Sequence, residues 1–227
     1  MSSLTNLVIF AKDPRPGHVK TRLSPPLPPE TAAALAGAFV SDLARRLLPL
    51  GCVTVALPPG DAPHRLAKLL PADVAFTGQG PGDLGAKLAR VLGDALAAGA
   101  GVAVAIGADH PHVPLAPLRE AVAAARDGDA GWIPTDDGGF ACIALSRPVP
   151  GLFADVAWST PDAAAGVRNN ALRLGVSLRE TGTWYDVDDV RDLRRFAAEP
   201  DARRRCPGTM RVLDAWRGAL GKEGDGA

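Results

Sequence analysis

"VAVAIGADHPHVP", Val102 to Pro114, joins an apolar run to a loop that opens on an acid and closes on a proline. An apolar run without polar alternation reads as a strand buried on both faces, the pattern of a parallel sheet covered by helices. The closing proline suits the first turn of a helix over Leu115 to Arg126. The same unit recurs on either side. Short apolar runs at Leu7 to Ala11, Val53 to Leu57, Val74 to Thr77, Ala130 to Ile133 and Phe140 to Leu145 read as strands. Helical patterns at Pro29 to Leu48, Ala62 to Leu70 and Asp83 to Ala98 lie between them. This alternation predicts an α/β fold whose central sheet is mostly parallel and flanked by helices.

Beyond Leu145 the pattern loosens into "SRPVPGLFADVAWSTPD", a helix over Ala163 to Leu174, a polar strand in "SLRETGTWYDVD" and a helical tail. No repeat or long linker divides the chain, which predicts one domain over 1–220 and a flexible tail at 221–227. Its 227 residues are 47% hydrophobic, enough for one full core. The 25 basic and 25 acidic residues cancel, and aromatics make up 5%, so nucleic acid is an unsuited partner. No apolar stretch approaches the roughly 20 residues of a membrane span. The N-terminal stretch lacks the basic start and uninterrupted apolar run of a secretory signal. Cys52, Cys142 and Cys206 are odd in number and far apart, as expected of reduced thiols. A cytoplasmic location is the expectation.

In open parallel sheets, ligands bind at the carboxyl ends of the strands. Three unusual loops fall there. "AKDPRPGHVKTRL" follows the first strand with Lys12, Arg15, His18, Lys20 and Arg22, stiffened by Pro14 and Pro16 and opened at Gly17. Such a loop suits a polyphosphate, although it is neither a Walker loop nor a dinucleotide fingerprint. Asp109 follows the Val102 to Ile106 strand, where a carboxylate serves either as a turn or cap residue or as a ligand for magnesium or manganese. "TDDGG" brings Asp136, Asp137, Gly138 and Gly139, which fit either a hairpin turn or a wall for a sugar. In "TWYDVDDVRDL" some acids must begin the following helix. Asp186 and Asp188, two apart in an extended chain, point to one side and can share a metal with Asp109.

The ordered motifs "IFAKDPRPGHVKTRL", "QGPGDLGAKL", "IGADHPHVP", "PTDDGGF", "FADVAWST" and "WYDVDDVRDL" resemble a bacterial family of GT-A-type transferases, formerly a domain of unknown function and often labelled glycosyltransferase. The basic loop is similar, more distantly, to phospholactate and molybdenum-cofactor guanylyltransferases. The resemblance implies a nucleotide-diphospho-sugar transferase fold, with a nucleotide over the first half of the sheet and an acceptor over the second. It implies that Lys12, Arg15, Gly17, Lys20, Arg22 and Asp83 serve the nucleotide, and that Gly138, Gly139, Trp158, Ser159 and Thr160 serve the sugar or acceptor. Asp109, Asp186 and Asp188 would hold the metal, with Asp109, Asp137 and Asp188 catalytic. His110, Phe140 and Lys87 depart from the family's usual small residue or cysteine, tyrosine and arginine.

Three activities follow as expectations. The first is sugar transfer from a nucleotide diphosphate sugar to a small acceptor, with Mg2+ or Mn2+ as cofactor. The second is nucleotidyl transfer from a nucleoside triphosphate such as GTP to a phosphorylated small molecule. The third is nucleotide binding without catalysis. Gly107 and Ala108 precede Asp109, so the acidic pair of a D-x-D motif is missing.

Overall fold

The computed structural model describes residues 4–224, with side chains through position 217. Seven strands form one sheet: β1 (Thr5–Phe10), β2 (Cys52–Leu57), β3 (Ala75–Gly78), β4 (Val102–Gly107), β5 (Ala130–Pro134), β6 (Phe140–Leu145) and β7 (Leu178–Glu180). Their order is β3-β2-β1-β4-β6-β5-β7. Only β6 runs against the rest, because a short turn returns the chain from β5 antiparallel before β6 pairs with β4. The apolar, β-branched runs at the centre of the sheet are buried on both faces, as parallel strands covered by helices must be.

Helices α1 (Pro29–Leu47) and α3 (Leu115–Arg126) cover one face, where Leu43, Leu47, Leu118 and Ala121 pack on Leu7, Val55 and Val104. Helices α2 (Leu84–Ala97) and α4 (Ala163–Arg173) cover the other, around the wholly buried Trp132. A third cluster forms on the outer side of α1. There Phe39 and Leu35 meet Phe196 of α5 (Val190–Ala197) and Met210 of α7 (Pro207–Gly224), with the single turn α6 (Ala202–Arg205) between them. The C-terminal helices therefore fold back on the first crossover as part of the same body.

Two expected elements are shorter than their patterns. The helix read over Ala62 to Leu70 is a 3-10 turn at Leu66–Lys68. Pro63 and Pro71 bound it, and the buried Asp13 carboxylate draws off the backbone N–H groups of Arg65 and Leu66. The strand read in "SLRETGTWYDVD" is regular only over Leu178–Glu180. Its pairing with β5 ends at Trp132–Glu180, and the segment rejoins through the isolated Thr135–Trp184 bridge. Helix α7 extends to Gly224, into the stretch 221–227 read as a tail, whose last three residues lie outside the described residues. No helix among the described residues is long and apolar enough to cross a membrane.

The start of α7 is capped from across the fold. Buried Asp42, on α1, accepts from Gly208 N at 3.0 Å, Thr209 N at 2.7 Å and Thr209 Oγ1 at 2.8 Å. Removing that carboxylate strands buried donors at a helix N-terminus. Asp42→Ala is expected to lower the unfolding free energy by about 3 kcal/mol, and Asp42→Asn by less because one oxygen remains to accept. Urea denaturation of the two variants measures both.

Candidate active site

Three chain segments meet at the carboxyl end of β4. The backbone N–H of Val187 donates to the Asp109 carbonyl at 2.9 Å, drawing the "YDVDD" segment onto the β4 loop. Lys20 joins from the basic loop. Its ammonium donates to the Val187 carbonyl at 2.7 Å and lies 2.8 Å from Asp188 Oδ1 and 2.5 Å from Asp109 Oδ1. The backbone at Lys20 is left-handed, with φ 48°, a conformation that costs a non-glycine residue about 1–2 kcal/mol. Two ion pairs and a carbonyl compensate for it. Burial acts to lower the Lys20 pKa, but Asp109 and Asp188 outweigh it and the pKa is raised, so the ammonium stays charged.

Lys20, expected at a phosphate, is held by these protein groups and also lines the cleft. Arg15 donates to Asp61 at 2.6 Å, and neither it nor Gly17 lines a cavity of the cleft. Asp83, expected beside the nucleotide, caps α2 by accepting from Ala86 N at 2.8 Å. Lys12 and Arg22 do line the cleft, together with Lys87, and the side chains of Lys12 and Lys87 make no hydrogen bond or ion pair.

The cleft has two connected halves. One, of about 390 Å³, lies between the basic loop, Pro58, Gln79 and Lys87. The other, of about 590 Å³, lies between Asp137, Gly139, Phe140, Trp158, Ser159 and Thr160. Phe10, Arg22, Leu84, Asp109 and Asp188 border both, so the Lys20 clasp sits at their junction. Both volumes lie within the range of small-molecule sites.

The second half rests on the β5–β6 turn. Asp137 Oδ1 accepts from Thr135 Oγ1 at 2.6 Å and Gly139 N at 3.0 Å, the local geometry that a D-G-G turn provides. Gly138 has φ 88° and presses against the Pro161 carbonyl, and its own carbonyl accepts from Ala164 N at 2.8 Å. A side chain at Gly138 would meet both a forbidden backbone region and the neighbouring loop. Gly138→Ala is therefore expected to destabilise by about 3 kcal/mol, read from the thermal unfolding midpoint.

Asp186, Asp188 and Asp109 all border the second half. Burial raises the Asp186 carboxyl to about 7, reinforced by the charges of Asp137, Asp109 and Asp188. Its Oδ1 is buried without a hydrogen-bond partner. Asp188 is held below its usual range: burial opposes this, but the Lys20 ammonium and Arg22 prevail. Asp189 and Asp192 form the capping box of α5, as some of these acids had to. The three carboxylates offer the hard oxygen donors that magnesium or manganese takes, and Asp186 Oδ1 stands unsatisfied among them. Yet among the described residues no three acidic, histidine or cysteine side chains are arranged to hold an ion as they stand. Lys20 provides the positive charge between Asp109 and Asp188.

His110 and His112, which follow Asp109 in the loop, are both buried. His110 is buried with Nδ1 3.3 Å from the Tyr185 carbonyl, and burial lowers its pKa, so the ring is neutral. Its ring lies against Gly107, where a Cβ would collide with it, which accounts for a glycine where a D-x-D motif has an acid. His112 is enclosed by Trp184, Tyr185 and Phe196, and burial pushes it down to about 2.

A clamp that no sequence pattern announces lies behind this loop. Arg46 on α1 donates to the Pro111 and Val113 carbonyls, each at 2.5 Å, and Arg205 donates to the His112 carbonyl at 2.9 Å. Arg205 also pairs with Glu199, which accepts from the Tyr185 hydroxyl. The carbonyl acceptors follow from no side-chain pattern, so only the folded backbone reveals them.

No curated protein matches the chain. Among solved structures, a protein of Desulfovibrio desulfuricans G20 with the provisional name nucleotide-diphospho-sugar transferase shares 28% identity and a TM-score of 0.85, over 94% of this chain and 96% of its own. Two more distant structures share the fold alone. CMP:2-keto-3-deoxy-manno-octonic acid synthetase complexed with CTP matches at 13% identity and TM-score 0.53, over 86% of this chain and 98% of its own. The 4-diphosphocytidyl-2C-methyl-D-erythritol synthase of Anaerococcus prevotii matches at 9% and 0.53, over 85% and 94%. The fold is thus that of the nucleotide-diphospho-sugar transferases, as the sequence motifs implied. The family described as an uncharacterized protein conserved in bacteria, DUF2064, matches residues 44–160, just over half of the chain, and the chain belongs to it.

Proposed function

We propose that this protein is a transferase that takes a sugar from a nucleotide diphosphate sugar and passes it to a small acceptor. The observation that carries this reading is the two-part cleft, whose cationic half meets an acidic and aromatic half at Asp109 and Asp188. The name of the Desulfovibrio desulfuricans relative supports the same class. The nucleoside diphosphate would lie in the first half, its phosphates toward Lys12, Lys87 and Arg22. The acceptor would lie in the second, against Phe140 and Trp158.

An acceptor hydroxyl oxygen attacks the anomeric carbon, and the bond from that carbon to the diphosphate oxygen breaks with its electron pair leaving on the diphosphate. The hydroxyl proton passes to a carboxylate of the acceptor half. The growing charge on the leaving group is met by fixed cations, which is the largest single contribution a protein can make to such a step. Asp109, Asp186 and Asp188 would hold a magnesium or manganese ion, which when bound supplies further neutralisation of the diphosphate. The side chains of Lys12 and Lys87 make no hydrogen bond or ion pair within the protein, so their ammonium groups can serve the phosphates. Each, changed to Ala, is expected to weaken nucleoside diphosphate binding by about 1.5 kcal/mol in titration calorimetry.

The reaction is tested by incubation with a panel of sugar nucleotides and Mg2+ or Mn2+. Release of nucleoside diphosphate, as slow hydrolysis where no acceptor is supplied, is expected. Release of pyrophosphate from a nucleoside triphosphate, with no sugar nucleotide turned over, would instead assign nucleotidyl transfer.

A further inference from the structure

The two halves of the cleft differ in charge. The first is bordered by Lys12, His18, Lys20, Arg22 and Lys87, against Asp109 and Asp188. The second is bordered by Asp109, Asp137, Asp186 and Asp188, against Arg22 alone. Arg22 lies at the junction, 78% exposed, with its guanidinium 3.5 Å from Asp188. The cation of Lys20 is already committed to Asp109, Asp188 and a carbonyl. Within the second half, Arg22, shared with the first half and 3.5 Å from Asp188, is the one lining cation against four carboxylates.

Apart from Ser159 and Thr160, the side chains of the rest of its wall are apolar. Phe140 and Trp158 stand edge to face with centroids 6.3 Å apart, beside Leu84 and Leu88. Carboxylates accept hydrogen bonds and cannot donate them once ionised, whereas aromatic faces pack on C–H surfaces. A molecule with hydroxyl donors on an aliphatic frame satisfies both. A phosphate or carboxylate placed there would meet the side of the cleft lined by four carboxylates, opposed among its lining side chains by the guanidinium of Arg22 alone.

We propose that the second half of the cleft takes a hydroxyl-bearing acceptor without negative charge, a neutral or cationic polyol, and rejects its phosphorylated or carboxylated counterpart. This rests on the transferase reading, in which that half receives the acceptor. It deepens that reading by excluding acceptors that carry a phosphate or carboxylate, which separates the protein from enzymes that join a nucleotide to a phosphorylated small molecule.

The test uses the full chain labelled with 5-fluorotryptophan, the Trp158 resonance being assigned by its loss in Trp158→Phe. Magnesium pyrophosphate is present to fill the cationic half. Matched pairs are titrated: glucose against glucose 6-phosphate, and glycerol against glycerol 3-phosphate. The Trp158 resonance is expected to move with each neutral member at a concentration about tenfold or more below that needed for its phosphorylated partner. Asp137→Asn, which keeps an oxygen for Thr135 and Gly139, is expected to narrow that ratio. A ratio near one, a reversed ratio, or a resonance that moves with no member of either pair overturns the inference. Nucleoside diphosphate release is read separately. If it is absent while the neutral preference holds, the transfer reading fails and the charge selectivity stands. If it occurs while phosphorylated members are preferred, only the present inference fails.

Discussion

Asp109→Asn is expected to reduce sugar-nucleotide turnover by about 100- to 1,000-fold, the range seen when one group that stabilises a developing charge is lost. The substitution is conservative in shape. The Asp109 main-chain carbonyl still accepts from Val187, so the junction of the two loops survives. Lys20 keeps Asp188 and the Val187 carbonyl. With the Asp109 side chain 45% exposed, its ion pair with Lys20 is screened, and the loss of stability should remain under about 1 kcal/mol. What disappears is a negative charge where a metal and a diphosphate would meet. Titration calorimetry should show nucleoside diphosphate binding that manganese no longer strengthens. If manganese strengthens binding in the variant as it does in the parent, Asp109 is not a ligand. Asp83→Asn is the contrasting case. Asp83 caps α2 and lines neither half of the cleft, so turnover should stay near that of the parent while stability falls by at most about 1 kcal/mol.

That contrast marks what the sequence could and could not disclose. Strands buried on both faces are legible because their apolar runs depend on local composition alone, and β1, β2 and β4 lie where those runs stand. The ligand edge is legible for the same reason, since a polar loop after a buried strand must emerge at its carboxyl end. The short 3-10 turn at Leu66–Lys68 was not legible. Its helix pattern is sound locally, but Asp13, far away in sequence, takes the N–H groups of Arg65 and Leu66. Charges in the site behaved likewise. A cluster of cations in a loop indicates an anion nearby, but not whether that anion is a ligand or the protein itself. Arg15 faces Asp61 and Lys20 faces Asp109 and Asp188, whereas Lys12 and Lys87 face the cavity. Sequence spacing cannot sort these, because their partners arrive from 46 to 168 residues away.

Lys20→Met is expected to have opposite effects on stability and on metal affinity. The methionine fills similar space without charge, leaving Asp109 and Asp188 side by side near Asp186 with no ammonium between them. Breaking a fully buried pair costs about 3–5 kcal/mol, but these carboxylates are 45% and 37% exposed to the cleft, so solvent screening should hold the loss to about 2 kcal/mol at neutral pH. The pH dependence has a definite sign. In the parent, the lowered pKa of Asp188 contributes stability above the ordinary aspartate pKa, and this is lost as the pH falls through its folded value. In the variant the carboxylates repel one another, and their pKa values rise. The deficit should therefore be largest at neutral and alkaline pH and shrink as the solution is acidified toward about pH 4, where protonation removes the repulsion. A divalent ion offers the same relief without protons. Manganese alone, with no nucleotide, should bind the variant more tightly than the parent and restore part of the lost stability, because it binds the folded site and not the unfolded chain. Turnover should nevertheless fall, because Lys20 no longer fixes the geometry of the junction. Urea denaturation at several pH values, with and without manganese, reads each of these effects. A variant whose stability deficit is independent of pH, and whose manganese affinity is no higher than the parent's, would show that Lys20 does not stand in the place of an ion.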